Sequence, residues 1–271
     1  MAALSLVIGP IGFYGGRHEV ARWHAAAAQE RIWSHESAQA IEHLDRALEW
    51  DPQNPTFWMM RAQQWEALGQ LDQALADLDR AVELQPTALP PNSARGDLLV
   101  KMGRAEEAAD LWLAVASWGP RANDVEEMHV QNGAAYFCAV ANQHLDQAEE
   151  HIQQAFKIFN RLTGEEPRDP SILDTRGFVY FRQGKLDKAR RDLDQAVREI
   201  EASQSRFDRQ IVAAAIDARQ IEQQRETFRR TMAVLRYHRA LVLAAQGYEI
   251  EAALDRAQVR ELGFTPDEML F

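Results

Sequence analysis

Residues 55–88 read PTFWMMRAQQWEALGQLDQALADLDRAVELQPTA, and the pattern returns 34 positions upstream and 34 positions downstream. Ala74 has counterparts at Ala40 and Ala108, Pro86 at Pro52 and Pro120, and Gly69 at Gly103. A fixed period of this size marks units that cannot bury an apolar face alone and must stack on their neighbours. Within the unit, Trp58, Ala62 and Trp65 are spaced four and three apart and share one helical face. Gly69 ends that helix, because glycine takes the left-handed conformation at a helix C-terminus. Leu71, Ala74, Leu78 and Ala81 start a second stripe, which Pro86 stops by lacking a donor and biasing its predecessor away from helix. Two short antiparallel helices per repeat follow.

Helix axes only about 8–10 Å apart leave little room at the crossing, which is why Ala62, Ala74 and Ala81 are small. A large residue at Trp58, a small one at Ala62, an aromatic at Trp65, then Ala74, Leu78, Ala81 and Pro86 resemble the tetratricopeptide repeat family. Arg61 departs from that pattern, since the family prefers Leu there. The resemblance implies an all-α, right-handed solenoid of five to six antiparallel helix pairs, with partners held in a concave groove lined by first helices.

Read outward, repeats fall near residues 21–54, 55–88, 89–122, 129–162 and 170–203, after an apolar leader at 1–20. The first helix of repeat one is degenerate, with His24 and Arg31 at the large apolar and aromatic positions. Beyond Pro120 the spacing stretches, and Asn123, Asp124, Glu126 and Glu127 form an acidic helix entry. Repeat five is clean, with Arg176 again in place of Leu. Between Gly184 and Gly247 there is no Gly or Pro. Ala202 to Ser205 is the weakest stretch, so a break is expected there, followed by one elongated helix from Arg206 to Gln246. Phe207, Ile211, Ala214, Ala218, Ile221, Phe228, Met232 and Leu235 form its coiled-coil-like seam. Residues 204–271 then comprise this helix and a divergent last repeat. There the tetrapeptide Leu254–Ala257 and Gly247 imply registers two residues apart, and a longer loop is expected.

A formal charge of −11 repels phosphate backbones, so nucleic acid is not an expected partner. The single cysteine, Cys138, forms no intramolecular disulfide and sits among alanines as a packing residue. Ala2 to Tyr14 is apolar but shorter than the roughly 20 residues of a membrane-spanning helix. A docked leader, a shortened anchor and a cleaved signal all fit it, so the compartment is not fixed by the sequence, and the repeat domain is expected to be cytoplasmic or tethered to a membrane by this segment. His18-Glu19 and His35-Glu36 each lack the second histidine of the zinc-protease helix motif, and His144 and His151 have no recognised ligand spacing. Phosphate-loop, dinucleotide and nucleophile signatures are absent. No metal, cofactor or catalytic residue is therefore expected.

The register places Trp33, Met59, Gln63, Glu66, Ser93, Asp97, Lys101, Asp174, Phe178, Phe181 and Arg182 on the groove side of first helices. Family members that clamp a peptide carboxylate do so with Lys and Asn, whereas the matching positions here hold Ala25, Met59, Ser93 and Asp174. The expectation is a non-catalytic scaffold that binds a peptide or helical segment of a partner protein. Its alternatives are a homodimer formed through the 206–235 seam and a membrane-tethered assembly factor. Of the seven tryptophans, Trp50, Trp58, Trp65, Trp112 and Trp118 are read as packing residues.

Overall fold

A computed structural model describes residues 10–119, 121, 123–166, 168–213 and 217–265. The chain divides into two compact units, Met1–Gly103 and Arg104–Phe271. In the first lie α1 (Pro10–Trp33), α2 (Ser37–Trp50), α3 (Pro55–Ala67), α4 (Leu71–Leu84) and α5 (Leu89–Lys101). In the second lie α6 (Ala105–Ser117), α7 (Asp124–Ala141), α8 (Leu145–Thr163), α9 (Pro170–Arg182), α10 (Leu186–Ala213), α11 (Ala218–Ala245) and α12 (Glu249–Glu261). No strand occurs among the described residues, and the fold is an all-α solenoid.

Helix starts follow from local chemistry. Asn54 and Asp169 each precede a proline at the first helical position, and their side chains accept from the backbone N–H groups of Thr56 and Ser171. Asn123 caps α7 in the same way, accepting from Glu126 N–H at 2.9 Å. Helix ends share one geometry. Gly69, Gly103, Gly184 and Gly247 have positive φ, and Asn142 (φ 55°) and His35 (φ 58°) take the same left-handed position in the repeats that lack glycine. After each of Gly69, Asn142, Gly184, Gly247 and His35 the next N–H reaches back to close the last turn, as in Gln70 to Trp65 O at 2.9 Å.

The alanines that set the register are all inside. Ala40, Ala74, Ala108, Ala148, Ala189 and Ala252 are fully buried, as are Ala47, Ala81, Ala155 and Ala196. Two crossings are closer still. A Cβ on Gly177 would come within 2.8 Å of Leu193 Cγ, and one on Gly133 within 2.3 Å of Trp112 Cζ3. Trp112 is buried and stacked on Phe137 at 5.3 Å, so it has no free side to retreat to. Gly133→Ala is expected to destabilise unit 2 by about 1–3 kcal/mol through overpacking, read as a lower urea midpoint.

The arginines at the Leu positions bind aspartates on second helices. Arg61 grips Asp77 on α4 through two bonds of 2.8 and 2.7 Å and Asp45 on α2 through a third of 2.6 Å. Arg176 is bidentate on Asp192 and Arg239 is bidentate on Asp255, again 16 residues on. Arg95 reaches back to Asp79 at 2.6 Å. In the Arg61–Asp77, Arg176–Asp192 and Arg239–Asp255 pairs the planar guanidinium matches the carboxylate fork. Arg61 and Arg239 also reach the second helix of the preceding pair, at Asp45 and Asp194. The polar departure from the expected Leu thus joins one pair to the next.

Several expectations need correction. The helix that starts at Leu186 does not break at Ala202–Ser205 but runs to Ala213, and the next begins at Ala218. The boundary expected at 203/204 therefore lies inside α10, and the one at 20/21 inside α1. Ser and Gln on an exposed helical face interrupt the apolar stripe without removing any backbone hydrogen bond. The seam is consequently split between two antiparallel helices: Phe207 of α10 meets Phe228 of α11 with ring centroids 5.6 Å apart. Ala214 of the seam lies outside the described residues. In the last pair Gly247 gives the register, because Ala252 and Val259 are buried while Leu254 is 60% exposed. The connection from α11 to α12 is short. Trp50 is exposed rather than packed, with the Arg17 guanidinium 6.0 Å from its ring. Phe264 packs on Tyr237 and Val259 as a cap, and residues 266–271 lie outside the described residues.

Candidate functional site

In unit 1, α3 presents Met59, Gln63 and Glu66 and α5 presents Ser93, Asp97 and Lys101, all at least partly accessible. Lys101 Nζ binds Glu66 Oε1 at 3.0 Å and holds the two helices' polar faces together. Gln63 and Asp97 are the most open of the six apart from Lys101. Trp33, at the end of α1, is 64% exposed.

Crowding by protein atoms and then the neighbouring Glu66 carboxylate push the Asp97 carboxyl up to about 6. Its outer face nevertheless stays open to solvent, which screens both effects. A carboxyl raised from 3.8 in this way binds its proton more tightly in the folded chain. The resulting stabilisation is complete below pH 3.8 and is lost as pH rises through about 6. Asp97→Asn is expected to melt slightly above the parent chain at pH 7.5, with the two curves converging near pH 4. Circular dichroism melts across that range measure it.

In unit 2 the structure takes two expected groove residues out of reach. Asp174 is 6% exposed and Phe178 is fully buried, because α11 lies across this part of α9. His238 of α11, also fully buried, has Nδ1 2.8 Å from Asp174 Oδ1 and 3.0 Å from Oδ2. Its ring stacks on Phe178 at 4.2 Å and 11°. Phe181 stacks on Phe178 in turn, with ring centroids 6.0 Å apart. Arg182 lies 4.8 Å over Phe178, and its Nε donates to Ala139 O at 2.9 Å. Burial lowers the pKa of Arg182, with Tyr237 opposing. These residues dock α9 to α7 and α11.

Cys138 is fully buried, and desolvation followed by the Asp110 carboxylate raises its thiol to about 12, which fits a packing role. His151 Nδ1 sits 2.6 Å from Gln131 Oε1 and His144 Nε2 sits 3.7 Å from Asp110 Oδ1. No group of three or more His, Cys, Asp or Glu residues among the described residues is placed to hold a metal ion. No helix among them is long and apolar enough to cross a membrane, and residues 2–9 of the apolar leader lie outside them.

Residues 34–91 match the tetratricopeptide repeat family, and the solved structure of PilW, a type IV pilus biogenesis factor, superposes with a TM-score of 0.56 over 89% of this chain and 93% of PilW at 16% identity. Residues 34–91 are tetratricopeptide repeats. The structure of Pseudomonas aeruginosa pilF is similar at a TM-score of 0.53, with 16% identity, 91% of this tetratricopeptide-repeat chain and 93% of that one covered. Among curated proteins, DnaJ homolog subfamily C member 3 of Gallus gallus is 27% identical over 163 residues, which are 59% of this chain and 32% of that protein. The Rattus norvegicus protein is 31% identical over 108 residues, 40% of this chain and 21% of its own length. The chain thus spans a third or less of these relatives. Tetratricopeptide repeats form protein–protein interaction scaffolds, and this chain has that architecture.

Proposed function

We propose that this tetratricopeptide-repeat protein is a non-catalytic scaffold that holds an extended or helical segment of a partner protein against α3 and α5 of unit 1. The observation that carries the reading is the contrast between two equivalent faces. Met59, Gln63, Ser93 and Asp97 remain accessible, whereas Asp174 and Phe178 at the same register are covered by α11. An incoming segment can be held there by side-chain and backbone hydrogen bonds along the helical face. Asp97 adds a preference: a Lys or Arg of the partner beside it relieves the repulsion that Glu66 imposes.

The test is selection of binders from a random-peptide display library with the full chain. Selected peptides are expected to carry a basic residue and to lose binding to the Gln63→Ala and Asp97→Ala variants. Peptides that ignore both changes but respond to substitutions at Asp72 and Gln73, exposed on α4, would remove the α3/α5 face from consideration.

A further inference from the structure

His24 on α1 and His43 on α2 are 19 residues apart, a spacing with no motif attached, yet the hairpin brings their rings together. Their Nδ1 atoms face each other at 3.5 Å, with ring centroids 5.8 Å apart and planes inclined by 42°. Two imidazole nitrogens bound at about 2.0–2.1 Å to one ion lie about 3.3–3.4 Å apart in a tetrahedral shell and about 2.9 Å apart at adjacent corners of a square one. The pair therefore already stands within a small adjustment of the span such an ion requires. Both residues are half-buried, so the rings are held by the helices while an ion can still enter from solvent. Arg46 lies on α2 three residues after His43. Arg46 is itself paired with Glu49 at 3.2 Å, which offsets its charge toward an incoming cation.

We propose that His24 and His43 form a two-imidazole site for a borderline transition-metal cation that clamps α1 to α2. Imidazole suits Cu²⁺, Ni²⁺ and Zn²⁺ and disfavours Mg²⁺ and Ca²⁺, and water completes the coordination. Because the two ligands converge only in the folded hairpin, the ion binds the native state and raises its stability. Trp23 supplies a local reporter, its ring 4.8 Å from His24 and 6.4 Å from His43.

The full chain titrated with Cu²⁺ alone is expected to show one saturable quenching phase in tryptophan emission, missing in Trp23→Phe although calorimetry still finds the bound ion. His24→Gln and His43→Gln should each weaken that site by more than about tenfold, a loss that even changes to outer-shell partners can produce. Neither variant should shift the melting temperature of the metal-free chain appreciably, and Cu²⁺ should raise it only in the parent. A site that survives either substitution, or copper held adventitiously by the other histidines with no phase assigned to this pair, overturns the proposal.

Discussion

Arg61→Leu is expected to lower the stability of unit 1 by roughly 3–5 kcal/mol, the loss typical of a buried ion pair stripped of one partner. The sequence pattern alone suggests the opposite, since Leu is the residue the repeat family favours there. Three observations decide the sign. The Asp77 side chain is 6% exposed, against 48% for Asp45, so only Asp77 is stranded when the guanidinium goes. Arg61 is the sole side chain hydrogen-bonded to Asp77 among the described contacts, through both carboxylate oxygens. The guanidinium also covers the Trp58 ring at 4.9 Å, a contact that Leu replaces only in part. The double change Arg61→Leu with Asp77→Leu removes both charges and is expected to recover most of the loss, because an apolar pair of similar volume is often neutral or better. Urea midpoints of the two single variants and the double variant, combined in a cycle, isolate the pair's coupling. Additive single changes would show that the pair contributes nothing specific.

What could be read from the chain beforehand follows from which signals are local. The buried alanines recur at fixed distance because every repeat has the same crossing to fill, so Ala40, Ala74 and Ala108 announce themselves. The arginine pairs were equally legible: Arg61/Asp77, Arg176/Asp192 and Arg239/Asp255 share a spacing of 16 that a search restricted to apolar positions passes over. The last repeat shows two local signals in conflict. Leu254-Asp255-Arg256-Ala257 copies the tetrapeptide at 78–81, yet the copy is displaced, and Gly247 sets the register because its left-handed φ of 84° is a backbone requirement. Matching letters carry no such requirement. The end of α10 at Ala213 and the start of α11 at Ala218 were not legible, since no Gly or Pro separates the two helices, and the packing of Phe207 on Phe228 is a tertiary signal. The covered face of α9 was hidden for the same reason. Register says that Asp174 and Phe178 point toward a groove, but only α11 decides whether the groove is open there.

That covered face carries the second large effect. Asp174→Ala is expected to destabilise unit 2 by about 1–3 kcal/mol, the cost of leaving a buried polar group unpaired, and to loosen α11 before the rest. His238 is fully buried, its Nε2 has no hydrogen-bond partner among the described residues, and Asp174 is the group that satisfies Nδ1. Removing the carboxylate leaves a buried imidazole with neither nitrogen paired, in surroundings built of Phe178, Phe181 and Tyr237. The strain falls on the contact between α9 and α11, whereas α7 and α8 also pack on each other, with Ala135, Ala148, Ile152 and Ala155 as their part of the shared core. Hydrogen exchange should therefore accelerate first in the α11 amides around Tyr237 to Leu243, with those of α7 and α8 changing less. Phe181→Ala, which removes ring packing but leaves the Asp174–His238 pair intact, provides the comparison and is expected to loosen the same region less. Uniform acceleration through all of unit 2, or an equal effect of Phe181→Ala, would mean that the pair holds α11 no more firmly than ordinary apolar packing does.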